Sequence, residues 1–308
     1  MKKGIVLLMT LGFIAVITAL ILWFLNITNE RFDRVAYLNQ RNQFNIIYED
    51  FSNMVKKFDI NSSDKLDILL SIDFPAMPTQ KSGLGVGFSS KSLMDKLNIN
   101  YMLDTIAKSD NNSSKKEAAI YYLRAFEKFL SKFELSDSGL FINMMLDTID
   151  LDDVERGSYS EIANEDFDFR QGKIYDFKTV KKIEDNYYKA IKDANIYKIN
   201  KDEFEKYFYF GDIKKYGLLD CSQEGSLDTF SLILEDEMSL NEEMDLCKET
   251  NSSSMKKLKK IYNISQYSNK SKYLVRCKID LDLQDRFLSV SFDYEVNSKR
   301  ISNIDKSF

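Results

Sequence analysis

The sequence predicts an α+β fold: a long N-terminal helix laid on an antiparallel sheet, with a mainly helical domain inserted into that sheet. Three observations carry this expectation. Gly4 to Leu25 is a continuous apolar stretch, and no Pro or Gly interrupts the chain from Asn26 to Phe58. Between Leu93 and Lys215, apolar residues recur at the three- and four-residue steps of amphipathic helices. From Lys272 to Val296 the chain alternates apolar and polar residues around a short turn, the pattern of a hairpin with one buried face. Helix, strand, helical block and strands in that order make an α+β arrangement.

The first element is long enough to cross a bilayer. Ile5 to Leu25 contains no charged residue, and about 20 apolar residues in a helix span the hydrocarbon core. Each Leu, Ile, Val or Phe there contributes about −0.3 to −0.6 kcal/mol near the membrane centre. A cleaved secretory signal would have a shorter apolar core and small residues before its cut. Trp23, Phe24 and Leu25 stand there instead. Two readings stay level. One is an uncleaved signal anchor. The other is a basic leader, Met1-Lys2-Lys3-Gly4, removed by prepilin peptidase so that Ile5 becomes the new N-terminus. Arg31, Arg34 and Arg41 follow the helix, interleaved with Glu30 and Asp33, so flanking charge does not orient it. The very short segment before the helix favours a cytoplasmic N-terminus and a single pass, with the bulk of the chain in the periplasm.

Beyond the apolar stretch, Phe44, Ile47, Phe51, Met54 or Val55, and Phe58 form a stripe that must pack on something. Asp67 to Phe74 reads as a strand ended by Pro75 and Pro78, and Lys81 to Ser90, with Gly83, Gly85 and Gly87, reads as a loop. In the helical block, helices are expected over Glu117 to Phe133, Leu140 to Ile149, Phe177 to Asp193, and around Phe204 to Phe208. In the hairpin, Tyr273, Val275, Cys277, Ile279, Leu281 and Leu283 share one face, with Leu288, Val290, Phe292, Tyr294 and Val296 opposite them after a turn at Gln284-Asp285. Ile301 to Ile304 adds an edge strand. The expected organisation is a leader over 1–4, a membrane helix over 5–25, the outer half of the helix and the first strand over 26–92, the helical insertion over 93–215, and the returning strands over 216–308.

Composition excludes several chemistries. The chain of 308 residues has no His, which removes His-based general-base catalysis and His metal ligation. Its net charge of −5 does not suggest a nucleic-acid surface. The basic run Lys256-Lys257-Leu258-Lys259-Lys260 is short and reads as a solvated helix face. None of Cys221, Cys247 and Cys277 forms a CxxC pair, so zinc-ribbon and thioredoxin-type sites are absent. No Ser has a His partner, and Glu235-Asp236-Glu237 lies in a charged stretch. The chain is expected to be no enzyme.

Three stretches carry a family resemblance. The first is the leader and helix, Lys3-Gly4-Ile5-Val6-Leu7-Leu8, with Met9 where most pilins have Glu as the fifth residue after the cut. The second is Lys96-Leu97-Asn98-Ile99-Asn100. The third is Leu146-Asp147-Thr148-Ile149-Asp150-Leu151-Asp152-Asp153, followed by Glu161. Together with the element order, they resemble the K-type minor pseudopilin of type II secretion systems, in the type IV pilin-like superfamily. That subunit characteristically lacks the Glu. The likeness is partial. Thr148 stands for the family's Trp, Gly157 is displaced from Glu161, Tyr175 to Ile183 replaces a Ser-Leu-x-Glu-Leu element, and Leu218 to Ser222 lacks the family's Ile-Asn-Val-Asn-Thr-like stretch.

The resemblance implies a pilin-like fold and a structural subunit at the tip of a pseudopilus, which helps initiate assembly for protein export across the outer membrane. It implies processing between Gly4 and Ile5, residence in the bacterial inner membrane, and prepilin peptidase, the other minor pseudopilins, the major pseudopilin and membrane lipid as partners. No nucleic-acid partner is expected. Minor pilins of type IV pili or DNA-uptake machines share these features and stay open. So does a bitopic inner-membrane protein with a periplasmic binding domain, which would begin at Met1 rather than Ile5.

Two local expectations complete the reading. Asp147, Asp150, Asp152 and Asp153 crowd a helix C-terminus, where negative charge opposes the dipole. With Glu161 they form a candidate calcium site, since a hard cation takes oxygen ligands and the resemblance implies calcium. A solvated acidic loop is the alternative. The spacing is not an EF-hand, because Glu155 stands where the invariant Gly would be. If a disulfide exists, Cys221 and Cys247 are the expected pair and Cys277 a buried thiol, although sequence alone does not set connectivity.

Overall fold

A computed structural model describes residues 38–77, 85–109, 113–152, 154–213, 218–234, 253–268, 272–282 and 287–307. The leader, the apolar stretch over 5–25, Gly4, Ile5, Met9, Asp153, Cys247 and the turn at Gln284-Asp285 lie outside these residues. Among the described residues no helix is long and apolar enough to cross a membrane.

The first described element is helix α1, residues 38–57. From Phe44 to Val55 its stripe behaves as the spacing predicts, while Phe58, the last expected member, lies past the helix and is exposed. Phe44 and Val55 are buried, and Ile47, Tyr48 and Phe51 pack against the same core. Tyr48 meets Phe292 edge-on at 5.6 Å, and Phe51 stacks on Phe88 at 5.4 Å. Met54 points away, so Val55 takes the buried position of that turn.

The next stretch corrects the sequence reading. Ser63–Leu70 is a helix, α2, and only Asp73–Phe74 is a strand, β1. Ser62 supplies the reason: its hydroxyl accepts from Lys65 N at 3.4 Å as an N-cap, and Asp64 sits in the first turn. Leu66 and Leu69, three apart, then face the core. The supposed loop is also corrected, because Gly85–Ser92 is a central strand, β2. Gly87 is there for close approach rather than for a turn. A Cβ at that position would lie 2.5 Å from Ala76 N and 3.0 Å from Phe74 O, where β1 and its exit cross the strand.

After β2 the chain builds a second body. Leu97–Asn98 forms β3 and leads into α3, Ile99–Ala107. There follow α4 (Ser113–Ser131), α5 (Ser138–Ile149), α6 (Phe177–Ile191), α7 (Lys201–Tyr207) and β4 (Phe208–Tyr209), which pairs in parallel with β3. Then come β5 (Leu219–Asp220), α8 (Ser226–Ile233), α9 (Ser253–Tyr262) and β6 (Ile264–Ser265). An aromatic lattice holds this body together. Phe129 meets Phe133, Phe204, Tyr207 and Phe208 at 5.1–5.8 Å, edge to face, an arrangement worth about 0.5–1.5 kcal/mol per pair beyond area burial. Leu219, Phe230, Leu258 and Ile264 belong to the same core. The insertion therefore continues to about Ser265, past the boundary expected at 215.

The sheet closes after the insertion. Leu274–Asp282 (β7), Phe287–Glu295 (β8) and Arg300–Ser307 (β9) complete a sheet of order β1-β2-β7-β8-β9, with every neighbour antiparallel. Sequence-distant β2 and β7 pair from Gly85↔Asp282 to Ser92↔Val275, so the whole helical body is looped out between two adjacent strands. The alternation works as predicted. Val275, Cys277, Ile279 and Leu281 face inward with Leu288, Val290, Phe292 and Tyr294, and α1 covers that face. β9 is the edge strand and is longer than its expected core of Ile301 to Ile304.

Candidate functional site

Two places in the chain bring predicted residues together. The first is where the insertion leaves and rejoins the sheet. Leu93 N donates to Leu274 O at 3.1 Å, so the two connections run side by side. Asn98 caps α3, its Oδ1 accepting from Tyr101 N at 3.4 Å while its Nδ2 donates to Asp212 O at 2.9 Å. Asn100 is fully buried and fully bonded. Its Nδ2 donates to Ile174 O at 2.9 Å and Gly211 O at 3.0 Å, and its Oδ1 accepts from Ile174 N at 2.8 Å. The Asn-x-Asn spacing thus clasps the first helix of the insertion to chain segments 74 and 111 residues away.

The second is the acidic end of α5. Asp147 lies in its last turn and Asp150 is its C-cap. Arg156 folds back over this terminus. Its guanidinium pairs with both Asp147 and Asp150, and its backbone N–H donates to Asp147 Oδ2 at 3.1 Å. Ser160 Oγ donates to Asp147 as well. Glu161, also buried, N-caps the short 3₁₀ turn Ile162–Asn164 and accepts from Gln171 Nε2 at 2.8 Å. Asp152 is exposed and accepts from Val154 N at 3.0 Å in a turn of its own.

The structure therefore gathers Asp147, Asp150 and Glu161 and leaves Asp152 at the rim. Burial, followed by the charges of Asp147 and Asp150, pushes the Glu161 carboxyl above its ordinary range against the bond from Ala163 N–H. Burial also pushes Asp150 up, against the pull of Arg156. One oxygen of each, Asp150 Oδ1 and Glu161 Oε2, is buried without a hydrogen-bond partner. Among the described residues no three His, Cys, Asp or Glu side chains converge as a ready metal set. Arg156 is the residue that sequence reasoning missed: a lone Arg in an acidic loop is a counter-ion signal.

Of the cysteines, Cys221 is disulfide-bonded and Cys277 is a free, buried thiol.

No protein-family profile matches the chain, and no curated protein sequence matches it. Its structure is similar to a chain of the GspK–GspI–GspJ complex of the type 2 secretion system of enterotoxigenic Escherichia coli. The TM-score is 0.52 at 10% identity, over 89% of this chain and 99% of that one. The fold is thus an α+β, pilin-like fold with an inserted helical body. The expected α+β class, a helix on an antiparallel sheet with an inserted helical body, is thus the one observed.

Proposed function

We propose that the chain is a minor pseudopilin, a structural subunit without catalytic activity that caps the tip of a type II secretion pseudopilus and helps initiate its assembly. The observation that supports this most is a fold likeness running along nearly the full length of a chain found in complex with two other such components. The architecture agrees with a tip position. A subunit stacked above would meet the helical body that loops out between β2 and β7. A chain with Met9 in place of Glu also lacks the membrane-buried carboxylate that would reach a subunit above it.

In this reading residues 5–25 anchor the chain in the bacterial inner membrane, prepilin peptidase cuts between Gly4 and Ile5, and the described residues stand in the periplasm. α1 packs alongside the corresponding helices of the other minor pseudopilins and the major pseudopilin. The mass of the chain extracted from membranes tests this. A mature N-terminus at Ile5 is expected, and Gly4→Leu should block the cut. An N-terminus at Met1 in the wild type would favour the bitopic binding protein instead. The tip assignment is tested separately, by quantitative mass spectrometry of sheared filaments. A ratio to the major subunit near one to one would sink it.

Calcium at the acidic end of α5 belongs to the same proposal. Arg156 pairs with Asp147 and Asp150, while the nearby Glu161 carboxylate, which the charges of both aspartates reach, has only the Gln171 amide and the Ala163 N–H as donors. The two unpartnered oxygens on Asp150 and Glu161 have the chemistry of a hard-cation ligand. These residues would hold the ion, with Asp152 at the rim, and the ion would fix the loop that follows α5.

A further inference from the structure

Between α5 and α6 the chain makes two tight turns, and each puts an aromatic side chain into water. The first runs from Gly157 to Ser160 and is closed by Ser160 N–H donating to Gly157 O at 3.0 Å. Tyr159 is its third residue and has φ of 70°, the left-handed region where Gly or Asn is the ordinary choice. It is 63% exposed. The second turn runs from Asp166 to Phe169. Phe169 N–H donates to Asp166 O at 2.9 Å, and Asp168 N–H donates to the Asp166 carboxylate at 3.1 Å. Phe169 enters the core of the helical body, whereas Phe167, two residues earlier, is 94% exposed.

Folding does not account for either ring. Phe167 buries almost nothing, and Tyr159 holds a backbone conformation that strains any residue with a Cβ. Strain of this kind persists where a site needs the side chain, and large exposed apolar groups gathered in one place mark interaction surfaces. The two turns are neighbours. Asp166 N–H donates to Ile162 O at 2.9 Å. Ile162, together with Tyr159, Glu165 and Ala190 of α6, lines a hollow of about 220 Å³. The 3₁₀ turn Ile162–Asn164 thus joins Tyr159 on one side to Phe167 on the other.

Size and charge select the occupant. The hollow is smaller than the range of about 300–1,000 Å³ of small-molecule sites, and the exposed apolar surface extends beyond it to Phe167. That shape suits a macromolecule that seats one side chain in the hollow. Leu151 to Arg170 carries seven acidic residues against two arginines. One of these, Arg156, is already paired with Asp147 and Asp150. Glu155, Glu165 and Asp168 are exposed and make no ion pair among the described residues. Arg170, and Lys189 across the hollow, where it reaches Asn186 at 3.5 Å, leave the surface acidic. Nucleic acid and anionic lipid are repelled by such a surface. A protein that carries Lys or Arg around an apolar side chain is attracted to it, and aromatic side chains are the usual anchors of such contacts. We propose that the loop between α5 and α6 docks a basic surface with an apolar centre on another protein, with Tyr159 and Phe167 as its anchors. The inference uses none of the carboxylates assigned to calcium and is independent of the role in a pseudopilus.

The test uses the full chain in detergent and a labelled, N-acetylated, C-amidated peptide of alternating Lys and Leu, with a Lys–Ser peptide as control. Fluorescence anisotropy reads binding. The Lys–Leu peptide is expected to bind, and Phe167→Ser to weaken it about tenfold, the loss of one anchor. Tyr159→Gly should weaken it equally while raising the urea midpoint, because Gly relieves the positive φ. A residue kept for the fold would lower that midpoint, and this outcome would overturn the role of Tyr159. Phe287→Ser, at an exposed aromatic on β8, should change nothing. Equal binding of the Lys–Ser peptide, equal loss in Phe287→Ser, or no loss in Phe167→Ser overturns the proposal. Hydroxyl-radical labelling of the full chain in phosphatidylcholine nanodiscs separates a protein partner from the bilayer. Tyr159 and Phe167 should label strongly there and be protected by the Lys–Leu peptide. Rings already protected without peptide would assign the surface to lipid and overturn the proposal as well.

Discussion

Asn100 Nδ2 donates to Gly211 O at 3.0 Å, and this bond holds the first helix of the inserted body against the segment that follows β4. The same side chain exchanges two further bonds with Ile174. Asn100→Ala would leave one buried N–H and two buried carbonyls unpaired, at about 1–3 kcal/mol for each group not rescued by water. A loss on the order of 3–5 kcal/mol is expected, read as the urea midpoint. Asn100→Asp should be no better, because a carboxylate oxygen would face two carbonyls. A midpoint unchanged in both variants would show that the clasp contributes nothing.

Gly87→Ala tests the crossing of β1 over β2. The added methyl would sit 2.5 Å from a backbone nitrogen, which cannot swing aside as a side chain could. The expected cost is about 1–3 kcal/mol, the usual range for overpacking, through loss of the β1 pairing. Stability equal to wild type would mean that β1 moves away freely and that Gly87 is not required.

These two sites show what was legible in the sequence. The strands β7 and β8 are legible over Leu274–Asp282 and Phe287–Glu295 because period-two alternation with one buried face has no helical counterpart. The helices α4, α5, α6 and α7 are equally plain, whereas α3 (Ile99–Ala107) goes unnamed and α8 (Ser226–Ile233) falls where strands are expected. The run around Ile68-Leu69-Leu70 was not, since a short apolar segment fits either period, and the deciding signal was the Ser62 cap seven residues upstream of the run's centre. Gly85 and Gly87 read as loop punctuation, whereas their cause is a neighbouring backbone that no local pattern reveals. At the candidate site the acids were visible as composition. The pairing of Arg156 with Asp147 and Asp150 depends on the path of the loop and was not visible.

Glu184 should make stability fall as pH rises toward neutrality. It is fully buried on α6, its Oε1 has no partner, and Lys181 donates to its other oxygen at 3.0 Å. Burial pushes its carboxyl up from 4.5 to about 7. A raised acid stabilises the fold below its unfolded pKa, and that contribution is lost as pH rises through the folded value. The window is therefore pH 4.5 to 7. Glu184→Gln should flatten this part of the profile and gain stability at pH 8, on the order of 3 kcal/mol at most. Urea midpoints at pH 5, 6, 7 and 8 decide it, and an unaltered slope would rule Glu184 out as the cause.

Arg156 and calcium should act as alternatives. Arg156→Gln removes the cation that pairs with both Asp147 and Asp150, so the variant should be less stable in chelator and should recover more in calcium than the wild type does. At a hundred times its dissociation constant a ligand adds about 2.7 kcal/mol. Thermal unfolding in millimolar calcium and in chelator measures both chains. If neither responds, the acidic end of α5 holds no metal.

The cysteines should divide into a bridge and one inaccessible thiol. Cys277 points inward from β7, opposite Phe292, and burial pushes its thiol up to about 12. The thiolate is the reactive form, so native Cys277 should not react at pH 8. Cys221 is oxidised, and an oxidising compartment such as the periplasm sustains such a bond. Cys247 is the proposed partner. A disulfide closing a loop of a few tens of residues contributes about 3 kcal/mol through the unfolded chain. It would tie β5 to the segment between α8 and α9, which belong to the insertion rather than to the sheet. Thiol counting is the measurement. Without reductant it should give no reactive thiol in the native chain and one in denaturant, and with reductant three in denaturant. Cys247→Ser should raise the non-reduced, denatured count from one to two, since it frees Cys221. Three thiols in denaturant without reductant would remove the bridge, and a count still at one in Cys247→Ser would mean that Cys221 pairs elsewhere.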